Sequence, residues 1–356
     1  MVASATTDVP DSFRAAVLVE TGQPLEIVEL ESPRNLEVGQ VFVRVLRSGA
    51  CASQIHEIDG RKGPDLYLPH MLGHEGIAEV VTVGPGVTKV VAGDRVVLHW
   101  RIGSGIQAKT PRFEGSIGPV NAGSVTTFGE FAIVSENRLT KLPQGLPLEV
   151  APLFGCALTT GFGSVVHELK VKPGESAVII GFGGVGIAIL KALKLVSAFP
   201  ITVIDIDSQK AELALEMGAD FAEVIDPEHS NLTGLFPGGV REMPDVVFEV
   251  TGHRHIIEQS YQMTNDSGRT LLVGVPDPAD PARFPTLPLH LGKQVKGSHG
   301  GSSVPERDIP QIAKLVQSGH IVLDDIPLEA FPLDSINAAL DTLRAGHLGR
   351  ILIDMC

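Results

Sequence analysis

The chain is poor in cysteine, in positive charge and in long apolar runs, and each shortage closes off a class of protein. Cysteine occurs three times in 356 residues, at Cys51, Cys156 and Cys356. That is too sparse for a disulfide-stapled scaffold and suits a reducing cytoplasm, the expected location. Lys and Arg number 28 against 42 Asp and Glu, a formal net charge of −14. The acids are spread along the chain, so nucleic acid and anionic membrane are poor partners and the charge serves solubility. No apolar run is long enough to span a bilayer. Met1–Ser12 is small and polar, lacks the basic start and apolar stretch of a signal or transit peptide, and reads as a frayed tail. Internal repeats and low-complexity segments are missing as well.

What is present is apolar content enough for two cores: 43% hydrophobic residues in a chain longer than a single domain usually runs. The organising stretch is Ser176–Gly186. Ala177-Val178-Ile179-Ile180 is a continuous apolar run of the kind found in a parallel strand covered on both faces. It leads into Gly181-Phe182-Gly183-Gly184-Val185-Gly186, and from Gly184 the pattern turns helical through Leu195. Gly181 permits a tight turn, Gly183 a close approach of backbone to a pyrophosphate, and Gly186 close packing of helix on strand, while the helix N-terminus offers free N–H groups to an anion. A second strand, Ile201-Thr202-Val203-Ile204, ends on Asp205, nineteen residues after Gly186. A carboxylate there accepts both hydroxyls of an adenosine ribose and repels a 2′-phosphate, which favours NAD over NADP.

Phe13 to about Leu153 reads as short alternating strands broken by Gly and Pro (Ala15–Glu20, Leu25–Leu30, Val41–Leu46, Gly76–Val83, Asp94–Leu98, Phe131–Val134), a mainly β domain closing as a small barrel. From about Leu158 to Ser298, six strands alternate with helices: Ser176–Ile180, Ile201–Ile206, Ala222–Ile225, Val246–Glu249, Thr270–Val273 and a last strand near Gln294–Gly297. That is a doubly wound α/β sheet. Helical stretches Ile309–Gln317 and Leu333–Ala345 and a strand Arg350–Asp354 are too little for a third domain and are expected to return to the first. The expected division is 1–157 with 299–356, and 158–298 as an inserted dinucleotide-binding domain.

Two segments of the β domain hold polar residues that strand packing does not explain, Cys51-Ala52-Ser53-Gln54-Ile55-His56 and Gly73-His74-Glu75-Gly76; Gly155-Cys156 is a third. Two thiolates and an imidazole are what a catalytic zinc takes as three protein ligands, leaving one position open. Taken singly, each cysteine reads as a small buried hydrophobe and His74 as a core histidine. Their combination with a nicotinamide-type fold changes that.

In order and spacing, Cys51-x-Ser53-x-x-His56, Gly73-His74-Glu75, Gly155-Cys156 with Thr160-Gly161, the glycine motif, Asp205, Glu249-Val250-Thr251-Gly252 and Val273-Gly274-Val275 resemble the zinc-containing, medium-chain alcohol dehydrogenase family. The resemblance covers Phe13 to Asp354. It implies a Rossmann sheet inserted in a GroES-like catalytic domain, with Cys51, His74 and Cys156 as ligands of one zinc, Ser53 and His56 as proton relay and Glu75 as the acid beside the metal. For NAD it implies the glycine motif, Asp205 and Lys210 at the adenosine end, Thr160 and Val273 at the nicotinamide, and Arg350 at the pyrophosphate. It also implies a small-molecule alcohol or aldehyde substrate and a homodimer or homotetramer, the latter supported by Phe284–Gly297, whose strand would be an open edge in a monomer.

Departures from the family pattern are as informative. Many members carry four closely spaced cysteines after the turn corresponding to Gly93-Asp94, holding a structural zinc; this chain has no cysteine between Cys51 and Cys156. The 99–123 segment must be held by packing or by a partner subunit. Ala52 stands where the family often has a basic residue, and Gln54 where an acid often orients the histidine ligand. His70, four residues before His74, follows Pro69, which argues against a helix placing both on one face. Cys356 is expected to be a free, frayed thiol. Arg61, Lys62 and Arg101 near the expected pocket point to a polar or anionic substrate, unless they pair with Glu57, Asp59 and Asp65. The alternatives are a polyol or sugar dehydrogenase of the same superfamily, against which Cys156 weighs, and a catalytically idle NAD-binding interaction protein.

Overall fold

The structure, a computed structural model, describes residues 9–226, 231–235 and 243–355. Cys356, most of the expected tail and His229 lie outside the described residues. The chain divides into two compact units, unit 1 comprising Met1–Cys156, Val304–Gln317 and Pro327–Cys356, and unit 2 comprising Ala157–Ser303 and Ser318–Ile326. The division thus falls after Cys156 and after Ser303, not after residues 157 and 298. Residues 318–326 group with unit 2, where the carboxylate of Asp325 meets the buried ammonium of Lys191.

Unit 1 opens with ten strands: β1 (Ser12–Leu18), β2 (Glu26–Glu31), β3 (Gln40–Ala50), β4 (His70–Met71), β5 (Gly76–Val83), β6 (Arg95–Leu98), β7 (Arg112–Gly115), β8 (Gly118–Asn121), β9 (Phe131–Ser135) and β10 (Leu139–Lys141). β1, β2, β7, β8 and β4 close a barrel, as expected of short alternating strands. Alternation sets the faces: in β2, Val28 and Leu30 point inward while Glu29 and Glu31 stay in water. The barrel core is aromatic, with Phe13 edge-on to Phe113 at 5.4 Å and Phe42 stacked on Phe131 at 5.3 Å. The hairpin β7–β8 lies inside the 99–123 segment, where the sequence shows no strong alternation; four-residue strands carry too few positions for a period to register.

Unit 2 holds β11 (Ala177–Ile180), β12 (Ile201–Asp205), β13 (Phe221–Val224), β14 (Val246–Glu249), β15 (Arg269–Leu272) and β16 (Gln294–Gly297), all parallel in the order β13-β12-β11-β14-β15-β16. This is the doubly wound sheet with its reversal of strand order beside β11. β11 and β14 are wholly buried, which is why they read as unbroken apolar runs.

After unit 2 the chain returns to unit 1 with β17 (Leu328–Pro332) and β18 (Arg350–Asp354). β18 pairs antiparallel with β3, Ile351 opposite Ala50, extending the sheet β10-β6-β5-β3-β18-β17. Among the described residues no helix is long and apolar enough to cross a membrane.

Candidate active site

Three strand ends meet in unit 1. β3 pairs with β5 so that Ser48 faces Gly76, which brings the residue leaving β3, Cys51, towards the His74-Glu75 pair leading into β5. β5 also pairs with β6, Gly76 opposite Leu98. The 3-10 turn Ala151–Gly155 packs there so tightly that a Cβ on Gly155 would lie 2.2 Å from the Leu98 carbonyl and 2.9 Å from Glu75 Cβ. No other residue fits, and Cys156 follows at once. The pairing of Ile351 with Ala50 delivers Arg350 to the same place.

The result is a compact donor cluster. One ligating atom each of Cys51, His74 and Cys156 lies within 4.8 Å of the other two. A tetrahedral zinc with sulfur at about 2.3 Å and nitrogen at about 2.1 Å needs such atoms about 3.5–3.8 Å apart, so a small contraction around an ion suffices. The electrostatics agree. The Cys51 thiol is pushed well below its ordinary range, chiefly because the Cys156 thiol donates to it and against the penalty of burial, with His74 and Arg350 adding to the effect. Cys156 is correspondingly held up. Burial opposes charge on His74, but the Cys51 sulfur and Glu75 outweigh it and hold its pKa up. Two sulfurs and an imidazole held this close share protons that a divalent ion can displace, the chemistry of a divalent-ion site.

Helix α1 (Ala52–Ile58) positions the relay candidates. Gln54 sits in its first turn and its Oε1 accepts the Cys51 N–H at 3.1 Å, closing the helix end on Cys51. Ser53 donates its hydroxyl to Cys51 Sγ at 3.5 Å. His56, three residues on, shares that helix face and is half-buried. Burial, and then the charges of Arg61 and Lys62, lower its pKa. Glu75 is fully buried and its Oε1 accepts from Arg350 Nη2. Burial opposes charge on Arg350, but Glu75, Cys51 and Cys156 keep it fully protonated. Arg350, expected at a pyrophosphate, is thus a 5% exposed residue bonded to Glu75 behind the cysteines, because β18 is welded to β3 rather than lying at the surface.

The three cations expected to colour the pocket are engaged. Arg61 pairs with Asp59 at 3.7 Å, Lys62 with Glu57 at 2.8 Å, and Arg101 lies over the Trp100 ring at 5.5 Å. That removes the support for an anionic substrate. A cavity of about 420 Å³ in unit 1 borders His74 and is lined on its polar side by Gln54, Glu57, His70, Asn121 and Thr126. A larger hollow of about 1250 Å³ lies around Asp11, Glu29 and Arg34 and touches none of the candidate residues.

In unit 2 the glycine motif forms the turn between β11 and α3, a helix spanning Gly184–Leu195, though its numbering follows α2 (Ala157–Gly163). Gly181 has φ +96°, and a Cβ on Gly186 would lie 2.2 Å from the Gly181 carbonyl, whereas the space above Gly183 is open. Asp205 ends β12; its Oδ2 accepts the Phe182 N–H at 2.6 Å and its Oδ1 the N–H groups of Ile206 and Asp207. Phe182 is buried and Val185 occupies the first turn of α3. Lys210 lies on the helix Ser208–Glu216, Thr160 is buried in α2, and Val273 follows β15 directly, its N–H bonded to the Glu249 carbonyl. Asp205, Gly181, Glu249 and Val273 all lie at the carboxyl ends of parallel strands, where open α/β sheets bind their ligands.

Comparison with known proteins agrees with both units. Residues 37–144 match the model of the alcohol dehydrogenase GroES-like domain and residues 184–318 that of the zinc-binding dehydrogenase. An NDMA-dependent alcohol dehydrogenase of Amycolatopsis methanolica is 30% identical over 94% of this chain and 96% of its own. An S-(hydroxymethyl)glutathione dehydrogenase of Paracoccus denitrificans is 30% identical over 96% of this chain and 99% of its own. The chain belongs to the zinc-containing medium-chain alcohol dehydrogenase family. Among solved structures, benzyl alcohol dehydrogenase of Acinetobacter calcoaceticus superposes with a TM-score of 0.86 at 27% identity, covering 98% of this chain and 100% of that one. Acetophenone reductase of Geotrichum candidum, solved with NAD, shares the fold at a TM-score of 0.79 and 19% identity, over 98% of each chain. As a member of this family the protein is an oxidoreductase of the alcohol dehydrogenase type.

Sequence reasoning missed the cap that Gln54 places on Cys51, although a polar residue three positions after a cysteine is the outline of a capping box. It also left open what holds the 99–123 segment. The structure answers with Lys89 and Glu136, neither of which belongs to any motif.

Proposed function

We propose that the protein is a zinc- and NAD-dependent dehydrogenase interconverting an alcohol and an aldehyde or ketone. The observation that carries the reading is the convergence of Cys51, His74 and Cys156 within 4.8 Å, with the Ser53 hydroxyl 3.5 Å from the Cys51 sulfur. Zinc held there would act as a Lewis acid that lowers the pKa of a substrate hydroxyl, and NAD would accept the hydride from the substrate carbon.

This chain's own residues do the rest. Ser53 Oγ takes the substrate hydroxyl proton while passing its own towards His56, leaving a carbonyl compound, NADH and one proton. His56, its pKa lowered by burial and by Arg61 and Lys62, is neutral at pH 7 and free to accept that proton. Glu75, bonded to Arg350, fixes the charge behind the cysteines. In unit 2 the open space over Gly183 and the N-terminus of α3 suit a pyrophosphate, and Asp205 suits an unphosphorylated ribose. Gln54, Glu57 and Asn121 on one side of the cavity beside His74 can meet further hydroxyls, which keeps a polyol alcohol as the second reading. The assembly is read as a homodimer or homotetramer, because among the described residues β16 pairs only with β15 and Leu287 and Leu291 near it are exposed. Sedimentation showing only a 37.7 kDa species would count against that.

The deciding experiment couples metal analysis to NADH absorbance over a panel of alcohols and aldehydes. Turnover by a preparation with zinc bound supports the reading; zinc-loaded protein that binds NAD and turns over nothing leaves the idle NAD-binding alternative. Asp205→Gly should narrow the preference for NAD over NADP about tenfold, a loss of about 1.4 kcal/mol of discrimination. Equal use of both cofactors by the unmodified protein would overturn the cofactor assignment.

A further inference from the structure

A second group of donors lies outside the cysteine cluster. One donor atom each of Glu57, Asp65 and His70 lies within 4.8 Å of the other two. They come from the end of α1, the loop after it and the start of β4, with spacings of eight and five residues that form no recognisable motif. His70 is 7% exposed.

The hydrogen bonds around His70 fix its protons. Nδ1 lies 3.0 Å from the Met71 carbonyl, which only accepts, so Nδ1 carries a hydrogen. Nε2 lies 2.8 Å from Asp65 Oδ2, while Asp65 Oδ1 accepts the Tyr67 N–H at 2.9 Å. Burial alone would raise the Asp65 pKa, yet the Tyr67 N–H and His70 bring it below the ordinary carboxylate value, so the group is ionised at neutral pH. A neutral His70 with its single proton on Nδ1 would set a lone pair against a carboxylate oxygen at 2.8 Å. The contact therefore calls for positive charge at Nε2. A histidine that gives one N–H to a backbone carbonyl and turns its other nitrogen to a carboxylate is oriented as metal ligands are. Two ligands each about 2.1 Å from one ion and at right angles stand about 3 Å apart, close to this separation.

We propose that Glu57, Asp65 and His70 form a second divalent-cation site, distinct from the Cys51/His74/Cys156 cluster and weaker than it. One nitrogen and two carboxylates suit a divalent first-row ion such as manganese or zinc. The cavity of about 420 Å³ that Glu57 and His70 line has room for the waters that would complete the shell. Lys62 donates to Glu57 Oε2 at 2.8 Å and is the resident competitor, which an ion must displace or share with. Because His74 borders the same cavity, an ion here would set the charge of the wall facing any ligand in it. The proposal does not depend on the dehydrogenase reading.

The test uses the zinc-loaded protein and Mn²⁺, a hard ion for which the two thiolates are poor ligands, followed by the loss of the free-ion signal in electron paramagnetic resonance. A single Mn²⁺ should bind per chain at submillimolar concentration. His70→Ala and Asp65→Asn should each weaken binding by at least about tenfold. Lys62→Met, an exposed change that leaves the fold intact, should tighten it severalfold, an effect with no origin in a simple imidazolium–carboxylate pair. Failure of the unmodified protein to take up Mn²⁺ at millimolar concentration, equal binding by a folded His70→Ala, or weaker binding by Lys62→Met would each overturn the site.

Discussion

Two regions of unit 1 that the wider family builds around metal are built here on different principles. The cluster of Cys51, His74 and Cys156 gathers three metal-type donors within 4.8 Å of one another, its Cys51 thiol pushed down chiefly by Cys156, then by His74 and Arg350. The 99–123 segment, where many relatives carry cysteines for a structural zinc, neutralises itself. Glu136, 1% exposed, accepts the N–H groups of Thr88 at 2.6 Å and Lys89 at 3.0 Å on one oxygen and that of Ile106 at 2.8 Å on the other. Lys89 Nζ donates to the carbonyls of Ser104 at 2.8 Å and Leu139 at 3.0 Å. Glu306 accepts the Ser104 N–H, and Arg138 donates to the Trp100 carbonyl. A carboxylate gathering N–H groups and an ammonium gathering carbonyls supply the cross-links that a four-cysteine zinc supplies elsewhere.

The comparison breaks most easily at the cysteines. Cys156→Ala should lose most bound zinc and lower kcat/KM by about 10³-fold or more, while NAD binding measured by fluorescence and the thermal unfolding of the 99–123 region change little. If zinc content stayed at one ion per chain, the donor set would be misassigned.

Next in size is Glu136→Ala, which strands buried N–H groups and should lower stability by about 2–3 kcal/mol without altering zinc content. A loss of zinc in step with stability would show that the two regions are not independent. Glu136 also has a pH signature. Burial would raise its pKa, but the N–H groups of Thr88, Ile106 and Lys89 lower it below 4.5 in the folded protein. A depressed carboxyl pKa contributes stability that is present above the unfolded value and lost as pH falls through the folded one. Denaturant midpoints of the unmodified protein should therefore fall more steeply below about pH 4.5 than those of Glu136→Gln. Parallel curves would remove Glu136 from the account.

The smallest effect is expected from Lys89→Met, which keeps the aliphatic packing and removes the hydrogen bonds of Nζ to the carbonyls of Ser104, Leu139 and Glu136, costing about 1–2 kcal/mol. Zinc content and turnover should be unaffected, as judged by the same metal analysis and assay.

Much of the molecule was legible without coordinates where one residue type has one physical use. Val246–Glu249 was read to the residue, because a buried parallel strand must be apolar throughout and its ends are marked by turn residues. The turn at Gly181 and the packing at Gly186 are imposed by positive φ and by a backbone oxygen where a Cβ would be. Cys51 and Cys156 stood out because cysteine is rare in this chain, and His74 because it stands in the Gly73-His74-Glu75 motif.

The tertiary structure alone decided the rest. Charged residues such as Glu136, Lys89 and Asp65 are common, and a common residue acquires a role only from the backbone groups that the fold sets around it. The resemblance placed Arg350 at a pyrophosphate; its partner Glu75 was fixed by the antiparallel pairing of β18 with β3, a contact across three hundred residues that no local pattern encodes. The sequence determined the two folds and the donor types, since these follow from periodicity and from chemistry intrinsic to each side chain. Which carboxylate meets which cation depends on strand register and loop path, and those are properties of the folded chain.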